Sequence, residues 1–231
     1  MGNRVRYLST SAITRKELSA VGEALGRNEY SDQLAWGFVD VRIQGDSVVA
    51  TFVERFETEE QVTHPFGEIT TYKRVQFSRI RFRLALQLPQ LEVYDSPRAI
   101  TPLLTELSKC CEFRLVFSNV SIDLEQFTKT LKREASNITL VSATLRDISL
   151  AADVFARVSV VGSGEIGPYL KLASLGKKGL LEKACLCGTI ASNGFKVEIT
   201  SDARIQILAG HDDDLMKILR CVVIKSLVQK P

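Results

Sequence analysis

Arg79, Arg81 and Arg83 alternate with Ile80, Phe82 and Leu84, and Lys73 and Arg74 stand just upstream. Successive side chains of a β-strand point to opposite faces, so this spacing predicts three guanidinium groups on one face and apolar side chains on the other. The stripe would run about 13 Å. A guanidinium stays charged and presents a planar fork of donors, which suits phosphate and carboxylate oxygens. The implied chemistry is recognition of an anionic partner, either a nucleic acid or an acidic protein surface, by Lys73, Arg74, Arg79, Arg81 and Arg83. The ordinary alternative is a solvated sheet face turned toward the acidic stretch Glu54–Glu60 of the same chain.

Other residues invite more specific chemistry and give less support for it. Gly162-Ser163-Gly164-Glu165-Ile166-Gly167 is a literal G-x-G-x-x-G, the pattern that brings a helix N-terminus to a pyrophosphate in dinucleotide-binding folds. Pro168 follows the third glycine directly, where such a helix needs backbone donors, and the next strand, Ala184–Ile190, ends without a carboxylate for a ribose hydroxyl. The pattern reads as a strand-to-helix turn, and no cofactor is expected. Of the two histidines, His211 precedes Asp212, Asp213 and Asp214. Acids there complement the positive end of a helix, with Lys225 and Lys230 at its other end, and this reading is preferred to an oxygen-rich metal site. His64 lies in the segment His64–Glu68, without a nucleophilic Ser or Cys beside it in sequence. Were the chain an enzyme, His64, Glu68 and Asp40 would be the first titratable trio to compare.

The five cysteines, Cys110, Cys111, Cys185, Cys187 and Cys221, lack C-x-x-C spacing. An odd count with an adjacent pair does not make a secreted disulfide framework. Reduced, buried thiols are expected, and no metal. The N-terminus has no apolar stretch of the signal-peptide kind, and Arg6 stands where a myristoylation motif has Ser or Thr. No apolar run approaches the ~20 residues that cross a bilayer. These features predict a soluble cytoplasmic protein without a membrane partner. At 231 residues, 45% hydrophobic and 25% charged, the chain has the composition of a globular protein. Its net charge of +3, from 30 basic and 27 acidic residues, neither demands nor excludes a nucleic acid.

The elements that would position these residues follow from periodicity. Thr14 and Glu17 form a capping box for a helix over Arg15–Gly26. Trp36–Ile43 and Val48–Phe56 alternate as a hairpin around Gln44–Ser47, and Glu57–Glu68 reads as a connecting loop. Over Thr70–Leu88 the apolar phase flips near Ser78, which predicts a β-bulge or break there. Leu91–Tyr94 is a strand and Pro102–Lys109 a helix with Thr101 as its cap. From Phe113 to Ile190 the order is strand, helix capped by Asp123, strand, strand, helix, strand. That is the order of a ferredoxin-like, split βαβ unit. Asn193-Gly194 marks a hairpin into Phe195–Ile199, and Ala203–Leu208 is a last strand. A helix over Asp212–Val228 closes the chain; its apolar residues, Leu215, Leu219, Val223 and Leu227 among them, exceed one narrow stripe, so it is either buried or a docking element for a partner.

The expected fold class is α+β. Residues 1–110 would form an N-terminal antiparallel meander with a helix, and residues 111–231 a ferredoxin-like unit with an added hairpin and a C-terminal helix. The function expected first is that of a non-catalytic accessory subunit of a larger intracellular assembly, with a protein partner. A nucleic-acid-binding module using the arginine stripe is the alternative, and an enzyme without a sequence signature ranks third.

Overall fold

Local caps and alternating apolar residues build sixteen elements among the described residues. The computed structural model describes residues 4–11, 13–67, 69–97, 99–210 and 213–228; Glu68, His211, Asp212 and Lys230 lie outside them. The first elements are β1 (Arg4–Thr10), α1 (Arg15–Arg27), β2 (Trp36–Gln44), β3 (Ser47–Thr63) and β4 (Ile69–Ala85). Then follow β5 (Leu91–Tyr94), α2 (Thr101–Cys110), β6 (Phe117–Asn119), α3 (Leu124–Glu134), β7 (Ser136–Ala151) and β8 (Val154–Val161). The last are α4 (Gly167–Ala173), β9 (Leu180–Ile190), β10 (Asn193–Thr200), β11 (Arg204–Ala209) and α5 (Asp213–Lys225). The fold is mixed α+β, and β2–β3–β4–β5, β1–β11–β10–β9 and β9–β7–β8 pair antiparallel. No helix among the described residues is long and apolar enough to cross a membrane.

The chain divides into two units, one of residues 10–117 and one joining the residues up to Ser9 with those from Ser118 onward. In residues 10–117, β2, β3, β4 and β5 pair in that order. Register places Phe38, Phe52 and Ile80 on one rung, Ala50, Phe82 and Val93 on the next, and Val48, Leu84 and Leu91 on a third. All nine are buried. The rings of Phe38 and Phe52 lie 5.5 Å apart and those of Phe38 and Phe82 6.1 Å, at the tilted or edge-on angles that aromatic pairs favour. Helix α1 packs on β2 and β3 and touches α2. The Thr14–Glu17 capping box forms as expected: Thr14 Oγ1 accepts from the Glu17 amide at 3.2 Å, and the Glu17 carboxylate accepts from the Thr14 amide at 2.7 Å.

Three expectations change in this unit. The segment read as a loop from Glu57 is strand: β3 and β4 pair without a break from Ser47↔Ala85 to Thr63↔Ile69, and only His64–Gly67 turn. Threonines, Val62, Ile69 and Tyr72 favour strand there, and acidic residues face basic ones across the ladder. The bulge expected near Ser78 in β4 lies instead in β2, where Val39↔Thr51 and Arg42↔Val49 leave one extra residue and Asp40 has φ 55°. The apparent phase flip in β4 arises because Val75 and Phe77 are exposed, on the face away from the core. Helix α2 takes Ile100 as its N-cap, not Thr101, and has no side-chain cap.

In the second unit, β1 pairs with β11 through Val5↔Ile205, and the order continues β11–β10–β9–β7–β8. Residues Ser118 and Asn119 of β6 lie beside β1, accepting hydrogen bonds from Ser9 and Arg6. The β-α-β-β-α-β order is present, but β7 lies between β8 and β9, so the pairing does not show a ferredoxin-like arrangement. Helix α3, capped by Asp123 through the amides of Glu125 and Gln126, packs on β7, β9 and α5. The hairpin turn falls on Ala191 and Ser192, with φ 45° and 73°, two residues before the expected Asn193-Gly194. Burial of Phe195, Val197 and Ile199 fixes the β9–β10 register, and the turn must accommodate it.

The aromatic rungs set a direct test. Phe52→Ala removes a fully buried ring that touches Phe38 and Trp36. Urea unfolding should show a loss of about 3–5 kcal/mol; a change below about 1 kcal/mol would show that these rings do not form the core of this unit.

Candidate functional site

The face of β2–β5 opposite the aromatic core carries the arginine stripe, and register extends it across four strands. One rung holds Arg79, Val53 and Gly37; the next Tyr94, Arg81, Thr51 and Val39; the third Glu92, Arg83, Val49 and Arg42. The β2 bulge brings Arg42 onto this face, since an extra residue reverses the phase of the strand. Asp40, Arg42, Gln44, Val49, Ala50, Thr51 and Arg81 line a shallow concavity of about 350 Å³.

The three stripe arginines have different surroundings. Arg83 Nη1 donates to Glu92 Oε1 at 3.3 Å, and Tyr94 donates to Glu92 Oε2 at 2.6 Å. The Glu92 side chain is 1% exposed, so Arg83 answers a buried carboxylate. The Arg81 guanidinium lies 5.6 Å from the Tyr94 ring centroid, a cation–π placement. Arg79 is exposed beside Val53. Arg42, Arg79 and Arg81 make no ion pair among the described residues.

Lys73 and Arg74 lie further out on β4 and point to opposite faces. Arg74 pairs with Glu60 at 3.0 Å, and Lys73 lies 4.0 Å from Glu59. These two cations are answered by the acidic run of the same hairpin, whereas Arg79 and Arg81 are not.

Aromatic residues on this face come from segments that the stripe alone did not indicate. Phe77 shares the outer face with Arg79, Arg81 and Arg83 and is 54% exposed. Tyr30 meets it edge-on at 6.3 Å. Tyr30 is held because its amide donates to the Phe38 carbonyl and its backbone crosses β2 at Gly37, where an added Cβ would stand 2.4 Å from the Tyr30 Cα. The usable signal was parity: without a bulge at Ser78, Phe77 falls in phase with the three arginines.

The remaining candidates do not gather. His64 lies at the β3–β4 turn, its Nδ1 accepting from the Phe66 amide at 3.4 Å, and stands roughly 40 Å of strand from Asp40. The Gly162–Gly167 loop uses its own polar groups: Glu165 accepts from the amides of Leu140 and Gly167, and the Gly162 and Ile166 amides donate to the Val141 and Leu140 carbonyls. Leu215, Leu219 and Val223 of α5 are buried, and half-buried Leu227, beyond the helix, forms a backbone bridge with Ile122. All five cysteines are free; burial, then the neighbouring Cys110, pushes the Cys111 thiol up to about 12. No group of His, Cys, Asp and Glu among the described residues could hold a metal ion. Comparison with known protein families and with curated proteins finds no match.

Two outcomes follow. Arg83→Ala strands a buried carboxylate and should cost roughly 1–3 kcal/mol in urea unfolding, whereas Arg79→Ala should stay within about 0.5 kcal/mol; equal effects would contradict the division between them. With a thiol reagent at neutral pH, exposed Cys221 should react first and Cys111 only on unfolding, and rapid labelling of Cys111 in the folded protein would refute its burial.

Proposed function

We propose that this chain is a non-catalytic subunit of a larger assembly that docks on a protein partner through the outer half of the β3–β4 hairpin. The observation that carries this reading is the exposure of large apolar residues on that arm. Beyond Glu57↔Val75 the two strands pair only with each other among the described residues, over roughly 20 Å. Phe56, Val62, Ile69, Tyr72 and Val75 are exposed along it, and Phe66 at its turn is 91% exposed.

A two-stranded ribbon is marginal in water on its own. Exposed apolar side chains on both faces of such a ribbon, Phe56, Val62 and Tyr72 on one and Ile69 and Val75 on the other, suit an interaction site, and both strand edges offer free backbone groups to a partner strand. The ion pairs Glu59–Lys73 and Glu60–Arg74 add a polar frame around the apolar side chains. Support for a non-catalytic role comes from the wide separation of His64 and Asp40.

The test compares wild type with a variant carrying Val62→Thr, Phe66→Ser, Ile69→Thr and Tyr72→Ser. Both would be used to capture proteins from nuclease-treated extracts of the native host, with quantitative mass spectrometry. The variant should keep the unfolding transition of the sheet and lose a protein that wild type enriches. Equal recovery by both, or no protein enriched by wild type, would overturn the reading.

A further inference from the structure

We infer that the arginine-bearing face of β2–β5 binds single-stranded nucleic acid, with phosphates on Arg42, Arg79 and Arg81 and a base stacked on Phe77. This does not rest on the docking role of the outer hairpin, since none of these residues belongs to it.

Three observations converge. Charge on the face is unbalanced where it is free: Arg42, Arg79 and Arg81 have no ion-pair partner among the described residues, while Glu92 is buried against Arg83. Asp40 is the acidic group that remains beside them, lining the same concavity as Arg42 and Arg81. Aromatic rings lie beside these cations. Phe77 is 54% exposed, in a T-shaped contact with Tyr30, and its exposed ring surface is the stacking platform for a base. Tyr94, half-buried and donating to Glu92, sits opposite Arg81 and holds that guanidinium over its ring, which places the Arg81 charge on this face.

An exposed ring beside the arginines favours a single strand over a duplex. Base stacking on exposed rings requires unpaired bases, whereas a duplex would meet the arginines but not the rings. An acidic peptide would also meet the arginines and gain little from Phe77. Phe77 therefore decides between polyanions that charge alone leaves equivalent.

The test is fluorescence anisotropy with labelled homopolymeric DNA and RNA single strands of about twenty nucleotides, a duplex of the same length and a polyglutamate peptide. Neutralising three phosphates predicts a single-strand salt slope near −2, so raising salt from about 50 to about 200 mM should weaken binding roughly 20-fold. Phe77→Leu should weaken single-strand binding by roughly 5- to 150-fold. The Arg42→Ala, Arg79→Ala, Arg81→Ala triple variant should lose most of the salt dependence. Should the triple variant not fold, Arg79→Glu at an exposed position takes its place and should abolish binding at the higher salt. Asp40→Asn should tighten binding by removing a like charge from the phosphate path. DNA and RNA strands of equal affinity identify backbone and base stacking as the common recognition, and an RNA preference adds a contact to the 2′-hydroxyl. The inference is overturned if no single strand binds at about 50 mM salt, if Phe77→Leu and Arg79→Glu bind as wild type does, or if duplex or polyglutamate binds as tightly as the single strands.

Discussion

The register of β3 against β4 is the constraint on which the residue 10–117 unit depends. Pairing Phe52 with Ile80 and Ala50 with Phe82 buries one set of side chains and, by the two-residue period, turns Arg79, Arg81 and Arg83 outward. A slip of one residue would bury three guanidinium groups and expose the aromatic core. The packing of Phe38, Phe52 and Phe82 therefore holds the charged face in place without touching it.

That division also separates two uses of the same residue type. Arg83 belongs to the fold, because the buried Glu92 carboxylate needs its charge and the Tyr94 hydroxyl as donors. Arg79 and Arg81 lie outside such a pairing. Lys73 and Arg74 show a third use, charge pairing across a ladder that has no core beneath it.

Local chemistry was legible in the sequence and long-range pairing was not. The Thr14–Glu17 box, the Asp123 cap and the Pro168 turn are decided within a few residues, so their sequence signals stand in the structure. The strand over Glu57–Thr63 was hidden because its side chains face solvent on both sides, which removes the alternation that identifies a strand. For the same reason the exposed Val75 and Phe77 imitated a bulge at Ser78, while the bulge at Asp40 lay in a run whose alternation looked regular. The positions of β6 and β7 relative to their neighbours depend on contacts between distant segments. Of the candidate site, the arginine stripe was readable from spacing; Arg42, Tyr30 and Tyr94 join it only through a bulge, a chain crossing at Gly37 and a third strand.

The unbroken ladder beyond Glu57 has one more consequence. Each further rung takes one residue from each strand and borrows nothing from α1, α2 or the aromatic core. Matched insertions or deletions near His64 would therefore change how far the ribbon projects while leaving the rest of its unit untouched, and changes by two rungs would preserve which side chains face which way at the tip. Projection length is in this sense a separately heritable trait, adjustable in steps of about 7 Å.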